Sequence, residues 1–212
     1  MIKGVLFDLD GTLLQTIPDI AASMNRVLER FELPVHHEED YKTFLGNGAK
    51  VLTERAIGNR REMFEKVYKA YREEYAAHTC ELTRPYDGIP DMIRSLRDRG
   101  LIATVFSNKD QADTENVIHC YFPDGPFAIV RGRQEGIPLK PAPDGALMIA
   151  EELHLTPSEI LYVGDTGTDM DCGHNAGMIT VGVTWGFRSR EELEKHKACH
   201  LIDRPAELLE LL

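Results

Sequence analysis

Asp8 and Asp10 stand one residue apart directly behind the apolar run Val5-Leu6-Phe7, within the stretch Gly4 to Leu14, GVLFDLDGTLL. The run reads as a short buried strand, broken by two carboxylates and a glycine. Residues two apart in a strand share a face, so Asp8 and Asp10 become neighbours at its tip while Leu9 points into the core. Two adjacent carboxylates repel. Magnesium resolves the conflict, because hard divalent cations take oxygen ligands from one or two carboxylates, a carbonyl and water. The plainer alternative is an Asx-turn that closes the strand.

Other strand ends carry complementary groups. Leu101 to Phe106 reads as a strand ending in Ser107-Asn108-Lys109. Lys140 precedes Pro141 in the loop after Ile137, and Ile160 to Gly164 reads as a strand ending in Asp165-Thr166-Gly167-Thr168-Asp169. Singly these have ordinary readings: Ser107 and Asn108 as helix caps, Lys140 as a solvated cation, Asp169 as an acid at a helix start. Together they put carboxylates, a hydroxyl and a lysine at one edge of one sheet. Phosphoryl transfer explains that set, since a phosphate ester needs an in-line nucleophile, cations for its oxygens and a proton donor for the leaving alkoxide. Asp8 is the candidate nucleophile, forming an aspartyl phosphate, and Asp10 the candidate that protonates the leaving oxygen and afterwards activates water. Asp8, Asp165 and the Asp10 carbonyl are candidate magnesium ligands, with Asp169 steadying a water of the metal. Ser107 and Lys140 are candidates for the non-bridging oxygens. A like-charge pair at about 4 Å costs roughly 4 kcal/mol at an effective dielectric near 20, so a dianionic phosphate needs both cations before it approaches Asp8.

These residues need a sheet whose strands end side by side. Ile17 to Phe31, Ala49 to Ile57 and Arg60 to Thr79 have helical apolar spacing with no convincing strand among them. Past Pro85 helices and strands alternate, as in βαβ units. Helices are expected at Ile89 to Arg99, Gln111 to Tyr121, Pro143 to His154, Thr168 to Ala176, Glu191 to His196 and Pro205 to Leu212. Further strands are expected at Phe127 to Val130, Thr180 to Val183 and His200 to Ile202. The economical architecture is an α/β core, a parallel sheet flanked by helices, from residues 1–15 and 81–212, with a helical insert over 16–80. In open α/β sheets ligands bind beyond the carboxyl ends of the strands.

Composition narrows the partners. A chain of 212 residues with formal net charge -11 lacks the basic surface that binds nucleic acid. No apolar run reaches the length of a membrane span. Cys80, Cys120, Cys172 and Cys199 show no Cys-x-x-Cys spacing and read as reduced thiols. The expected setting is cytoplasmic. His36, His37, His196 and His200 read as surface residues, and Trp185, Tyr71 and Tyr75 as packing. Lys109 and Arg188 read either as solvated cations or as aids to an anionic substrate.

The stretches DLDGT (8 to 12), SN (107 to 108), KPAPD (140 to 144) and GDTGTD (164 to 169) resemble, in chain order, the four motifs of the haloacid dehalogenase superfamily. The resemblance spans nearly the whole chain. It implies a Rossmann-like core, magnesium, an α-helical cap domain inserted after the first motif, and the roles above for Asp8, Asp10, Ser107, Lys140, Asp165 and Asp169. It adds Thr12 and Asn108 as phosphate-binding positions. An acid at Asp10 is similar to the phosphatase and phosphomutase members. Pro18-Asp19-Ile20, Gly46-Asn47-Gly48, Ser107-Asn108-Lys109, Asn175-Ala176-Gly177-Met178 and Thr184-Trp185-Gly186 are similar to phosphoglycolate phosphatases. On that resemblance Gly46, Asn47 and Gly48 form a cap loop over the substrate; a plain helix cap is the other reading. Gln15-Thr16 departs from the Asp-Ser usual in those relatives, at the expected hinge. The activity implied is magnesium-dependent hydrolysis of a small anionic phosphate ester, with a sugar phosphomutase or a phospho-accepting signalling domain as alternatives. No obligate protein partner is implied.

Overall fold

A computed structural model describes residues 1–212. In chain order the elements are β1 (Gly4–Phe7), β2 (Leu14–Gln15), α1 (Ile17–Arg30), α2 (Tyr41–Phe44), α3 (Gly48–Ile57), α4 (Phe64–Ala77), β3 (Arg84–Pro85) and α5 (Ile89–Asp98). They continue with β4 (Ile102–Asp110), α6 (Gln111–Tyr121), β5 (Ile129–Arg133), α7 (Asp144–Glu152), β6 (Ile160–Gly164), α8 (Gly167–Ala176), β7 (Ile179–Val183), α9 (Arg190–Lys195) and β8 (His200–Ile202). The chain divides into two compact units, Met1–Gln15 with Pro85–Leu212, and Thr16–Arg84.

The first unit is an α/β layer structure around one parallel sheet of order β5-β4-β1-β6-β7-β8. The alternation of β1 decides which side chains meet which helices. Val5, Phe7 and Leu9 join α5 and α6 in one apolar layer, whereas Leu6 joins α7 and α8 in the other. Leu6 and Phe7 are fully buried, each worth about 2–3 kcal/mol by apolar transfer. Asp8 has the parity of Leu6, so the alternation that fills the core also sends Asp8 toward the α7–α8 side. β1 lies between β4 and β6, and the strand order runs outward in both directions from it, so the ends of these three strands form the crevice.

The second unit is helical. Near its end, Leu82 and Thr83 are tied to its first helix, because their backbone N–H groups both donate to the buried Asp19 carboxylate at the start of α1, each at 2.8 Å. Within it Tyr71 and Tyr75 are buried and stacked at 5.7 Å. His36 is a packed residue rather than a surface one, with its Nε2 2.7 Å from the Ala56 carbonyl and its ring against Phe44.

Two expectations of local structure need correction. β4 does not stop at Phe106 but runs to Asp110 through a register irregularity that lets Asp110 pair with Arg133; the polar residues Ser107 to Asp110 therefore lie on a strand end. The C-terminal segment Pro205–Glu210 is a 3-10 helix. Cys172 and Cys199 are free. No helix is long and apolar enough to cross a membrane.

Candidate active site

Asp8, Asp165 and Asp169 converge where β1 and β6 end and α8 begins. Each offers a carboxylate oxygen within 4.8 Å of the others, and all three are buried. The Lys140 ammonium sits among them, 2.7 Å from Asp8 Oδ1 and 2.7 Å from Asp169 Oδ1, and gives its third proton to the Phe106 carbonyl at 3.2 Å. All three donors of the ammonium are thus engaged. In this structure Lys140 is therefore a partner of Asp8 and Asp169.

Three buried carboxylates against one ammonium leave negative charge uncompensated. The Asp8 carboxyl is pushed up to about 7, by burial first and by the nearby Asp169 carboxylate second, with Lys140 pulling it back. Asp165 is raised well above the usual carboxylate range, by burial and then by Asp8 and Asp169. Burial works against the Lys140 charge, but the Asp169 and Asp8 carboxylates outweigh it and hold the ammonium protonated. A divalent cation is the group these residues fit: a hard oxygen donor set, buried, with too little positive charge of its own.

The local sequence explains how each acid is held. Asp165 Oδ1 accepts from Thr12 Oγ1 at 3.3 Å and Oδ2 accepts from the Phe187 N–H at 2.7 Å. Gly11, at φ +89°, and Gly186 stand against it so closely that a Cβ on either would overlap its side chain. Asp169 is both the third helical residue of α8 and part of the cluster. Its Oδ2 accepts from the Thr166 N–H at 3.1 Å and hydroxyl at 2.7 Å in a capping box, while Oδ1 faces Lys140. Asp169 is thus an acid at a helix start that also faces the cluster.

Ser107 and Asn108 divide the work differently from the expectation. Both polar ends of the Asn108 side chain clamp the Lys140 backbone: Oδ1 accepts its N–H at 2.9 Å and Nδ2 donates to its carbonyl at 3.2 Å. Asn108 thereby positions the lysine across 32 residues of chain. Thr12 likewise uses its hydroxyl on Asp165. Ser107 is buried, and its Oγ accepts the Lys109 N–H at 3.2 Å, which leaves its own proton to donate. Asp10 does not continue the strand as expected, since β1 ends at Phe7 and Asp10 is bridged to Leu14 in the following turn; both its oxygens accept from Lys109 Nζ, at 3.0 and 3.1 Å.

Gly46, Asn47 and Gly48 belong to the helical unit. Asn47 precedes α3 but makes no side-chain cap; instead its Oδ1 accepts from Arg55 Nη2 at 3.1 Å, and Arg55 Nη1 also holds the Thr43 and Phe44 carbonyls at 2.9 Å. The helix-cap reading of this loop is thus replaced by an arginine clamp. Lys109 is not a solvated cation, since its side chain is only 8% exposed, and Thr166 caps α8 through the Thr-x-x-Asp spacing of a capping box. His196 is at the surface, where its Nδ1 pairs with the partly exposed Asp171 at 2.9 Å. Trp185 packs against the core and donates to the Thr12 carbonyl at 3.0 Å. Arg188 pairs with Glu192 at 3.5 Å and its charge opposes the rise at Asp165.

The family described as haloacid dehalogenase-like hydrolase matches residues 5–183. A phosphoglycolate phosphatase of Mannheimia succiniciproducens is 31% identical over 99% of this chain and 98% of its own length. An N-acetylmuramic acid 6-phosphate phosphatase of Pseudomonas aeruginosa is 30% identical over 100% and 95%. The crystal structure of a Haemophilus somnus protein, a phosphoglycolate phosphatase by prediction, superposes with TM-score 0.93 at 29% identity, covering 99% of this chain and 97% of that one. With a buried carboxylate cluster and its lysine at the ends of adjoining parallel strands, the chain belongs to the haloacid dehalogenase-like hydrolase family and is one of its phosphoric monoester hydrolases.

Proposed function

We propose that the protein is a magnesium-dependent phosphatase of the cytoplasm, which hydrolyses a small phosphorylated carboxylic acid through an aspartyl phosphate on Asp8. The observation that carries this reading is the Lys140 ammonium joining Asp8 and Asp169 inside a cluster whose remaining charge is uncompensated. Asp8, Asp165 and the Asp10 carbonyl would hold magnesium, with Asp169, whose oxygens are already engaged, acting on it through a water. When bound, the metal supplies positive charge to the phosphate oxygens and lets the ester approach Asp8.

The remaining steps belong to the chain. Lys140 holds Asp8 Oδ1, so Oδ2 attacks phosphorus in line; the P–O bond to the alcohol breaks, and Asp10 gives its proton to the leaving oxygen. Ser107 donates to a non-bridging oxygen. Asp10, now a carboxylate, takes a proton from water as that water attacks phosphorus; the bond to Asp8 Oδ2 breaks, and inorganic phosphate leaves. The names of the relatives, a phosphoglycolate and an N-acetylmuramic acid 6-phosphate phosphatase, both denote acids bearing a phosphate. This supports a substrate with a carboxylate of its own. The helical unit would serve as a cap, with the loop of Gly46, Asn47 and Gly48, stiffened by Arg55, taking part in the choice of leaving group.

Hydrolysis of p-nitrophenyl phosphate tests the reading. Asp8→Asn should abolish turnover, and EDTA should abolish that of the wild type until magnesium is restored. Full activity in Asp8→Asn contradicts the mechanism.

A further inference from the structure

Asp10 stands in the turn beyond β1 with both carboxylate oxygens on a single ammonium, that of Lys109. The side chains are 8% and 18% exposed, so this pair is largely removed from the solvent that makes surface ion pairs nearly worthless. The partners lie 99 residues apart in the chain. They meet because β4 lies beside β1 in parallel register, Phe7 opposite Val105, and runs on past its end. The Lys109 backbone is itself anchored on Ser107 Oγ, while its neighbour Asn108 clamps Lys140. One tripeptide, Ser107-Asn108-Lys109, therefore sets two lysines, one for each acid that follows the first strand: Lys140 for Asp8 and Lys109 for Asp10.

Proton transfer requires the donor within hydrogen-bond reach and aligned, and a small misplacement costs rate out of proportion to its size. A carboxylate in a turn rotates among several orientations unless something fixes it. A cation that engages both oxygens fixes the carboxylate plane. We propose that Lys109 is a positioning residue of the phosphatase reaction, which holds the Asp10 carboxylate in its working orientation and does not bind the substrate. This rests on the acid and base roles proposed for Asp10.

The test is a double-mutant cycle with p-nitrophenyl phosphate and magnesium, on proteins whose melting curves show them folded. Lys109→Met should lower kcat about tenfold to a hundredfold, part of the roughly hundredfold to ten-thousandfold that such an acid–base contributes, and leave KM within about twofold. Lys109→Arg, which can still engage both oxygens, should recover most of the loss. Asp10→Asn with Lys109→Met should be no slower than Asp10→Asn alone by more than about twofold. Multiplicative losses in the double variant, a raised KM with kcat intact, or no loss in Lys109→Met would each overturn the inference while leaving the role of Asp10 standing. Full activity in Asp10→Asn alone would instead remove that role, and the inference with it. Should Lys109→Met not fold, Lys109→Gln runs the same cycle with the same outcomes.

Discussion

Lys140 hydrogen-bonds Asp8 and Asp169, while Asp165 has only a hydroxyl and a backbone N–H. That division leaves the metal-free cluster sensitive to pH. The Asp8 carboxyl titrates at about 7 in the fold, against about 3.9 in an unfolded chain. A carboxyl whose pKa is raised by folding favours the folded state fully below the unfolded value, and loses that contribution as pH rises through the folded one. The Lys140 charge is constant across this window, because its own pKa is raised from an already high value. With EDTA present, the wild type should therefore lose on the order of 2–4 kcal/mol of stability between pH 4 and pH 8 relative to Asp8→Asn. Magnesium should return much of it at pH 8 by binding the folded state. Denaturant titrations at the two pH values measure this, and equal slopes for the two proteins would contradict it. The residue types at this site were legible because carboxylates, a hydroxyl and a lysine at strand ends have few structural uses together. The jobs of Asn108, Thr12 and Lys109 were not, since each depends on which strand lies next door rather than on neighbours in the chain.

At the level of elements, β1 and β6 deliver Asp8 and Asp165 by their length alone, and both strands could be read from short apolar runs ended by acids. The expected helices, apart from the 3-10 segment Pro205–Glu210, are present with ends shifted by a few residues. α2 was missed, since four residues show no periodicity. β4 was cut short because Ser107 to Asp110 look like a loop, whereas pairing of Asp110 with Arg133 on the neighbouring strand extends it. The glycines show how tightly these ends meet. Gly186 lies in the turn after β7, and a Cβ there would overlap the Asp165 side chain and the Gly11 carbonyl. Gly186→Ala should displace Asp165 and weaken magnesium binding, read by calorimetry on the purified protein, by about ten- to a hundredfold, with a thermal midpoint lowered by a few degrees. Unchanged affinity would show that Asp165 is not held by this contact.

Across the whole molecule, the acids, both lysines and the residues that orient them all belong to the unit Met1–Gln15 with Pro85–Leu212. The α/β class, the order of motifs and the helical character of the intervening segment could be read from the sequence, because helical and strand periodicities differ and the change falls near Pro85. The substrate could not, because leaving-group choice depends on side chains whose directions a sequence does not carry. The central claim, a covalent phosphoryl group on Asp8, does not depend on that choice. Asp10→Asn should form the aspartyl phosphate and hydrolyse it slowly, so acid quenching of that variant with p-nitrophenyl phosphate and magnesium, followed by peptide mass spectrometry, reads it most directly. A phosphoryl group on the Asp8 peptide, absent when Asp8→Asn is added, is the predicted result. Phosphate release with no phosphorylated Asp8 peptide, or with the phosphoryl group on another residue, would contradict it.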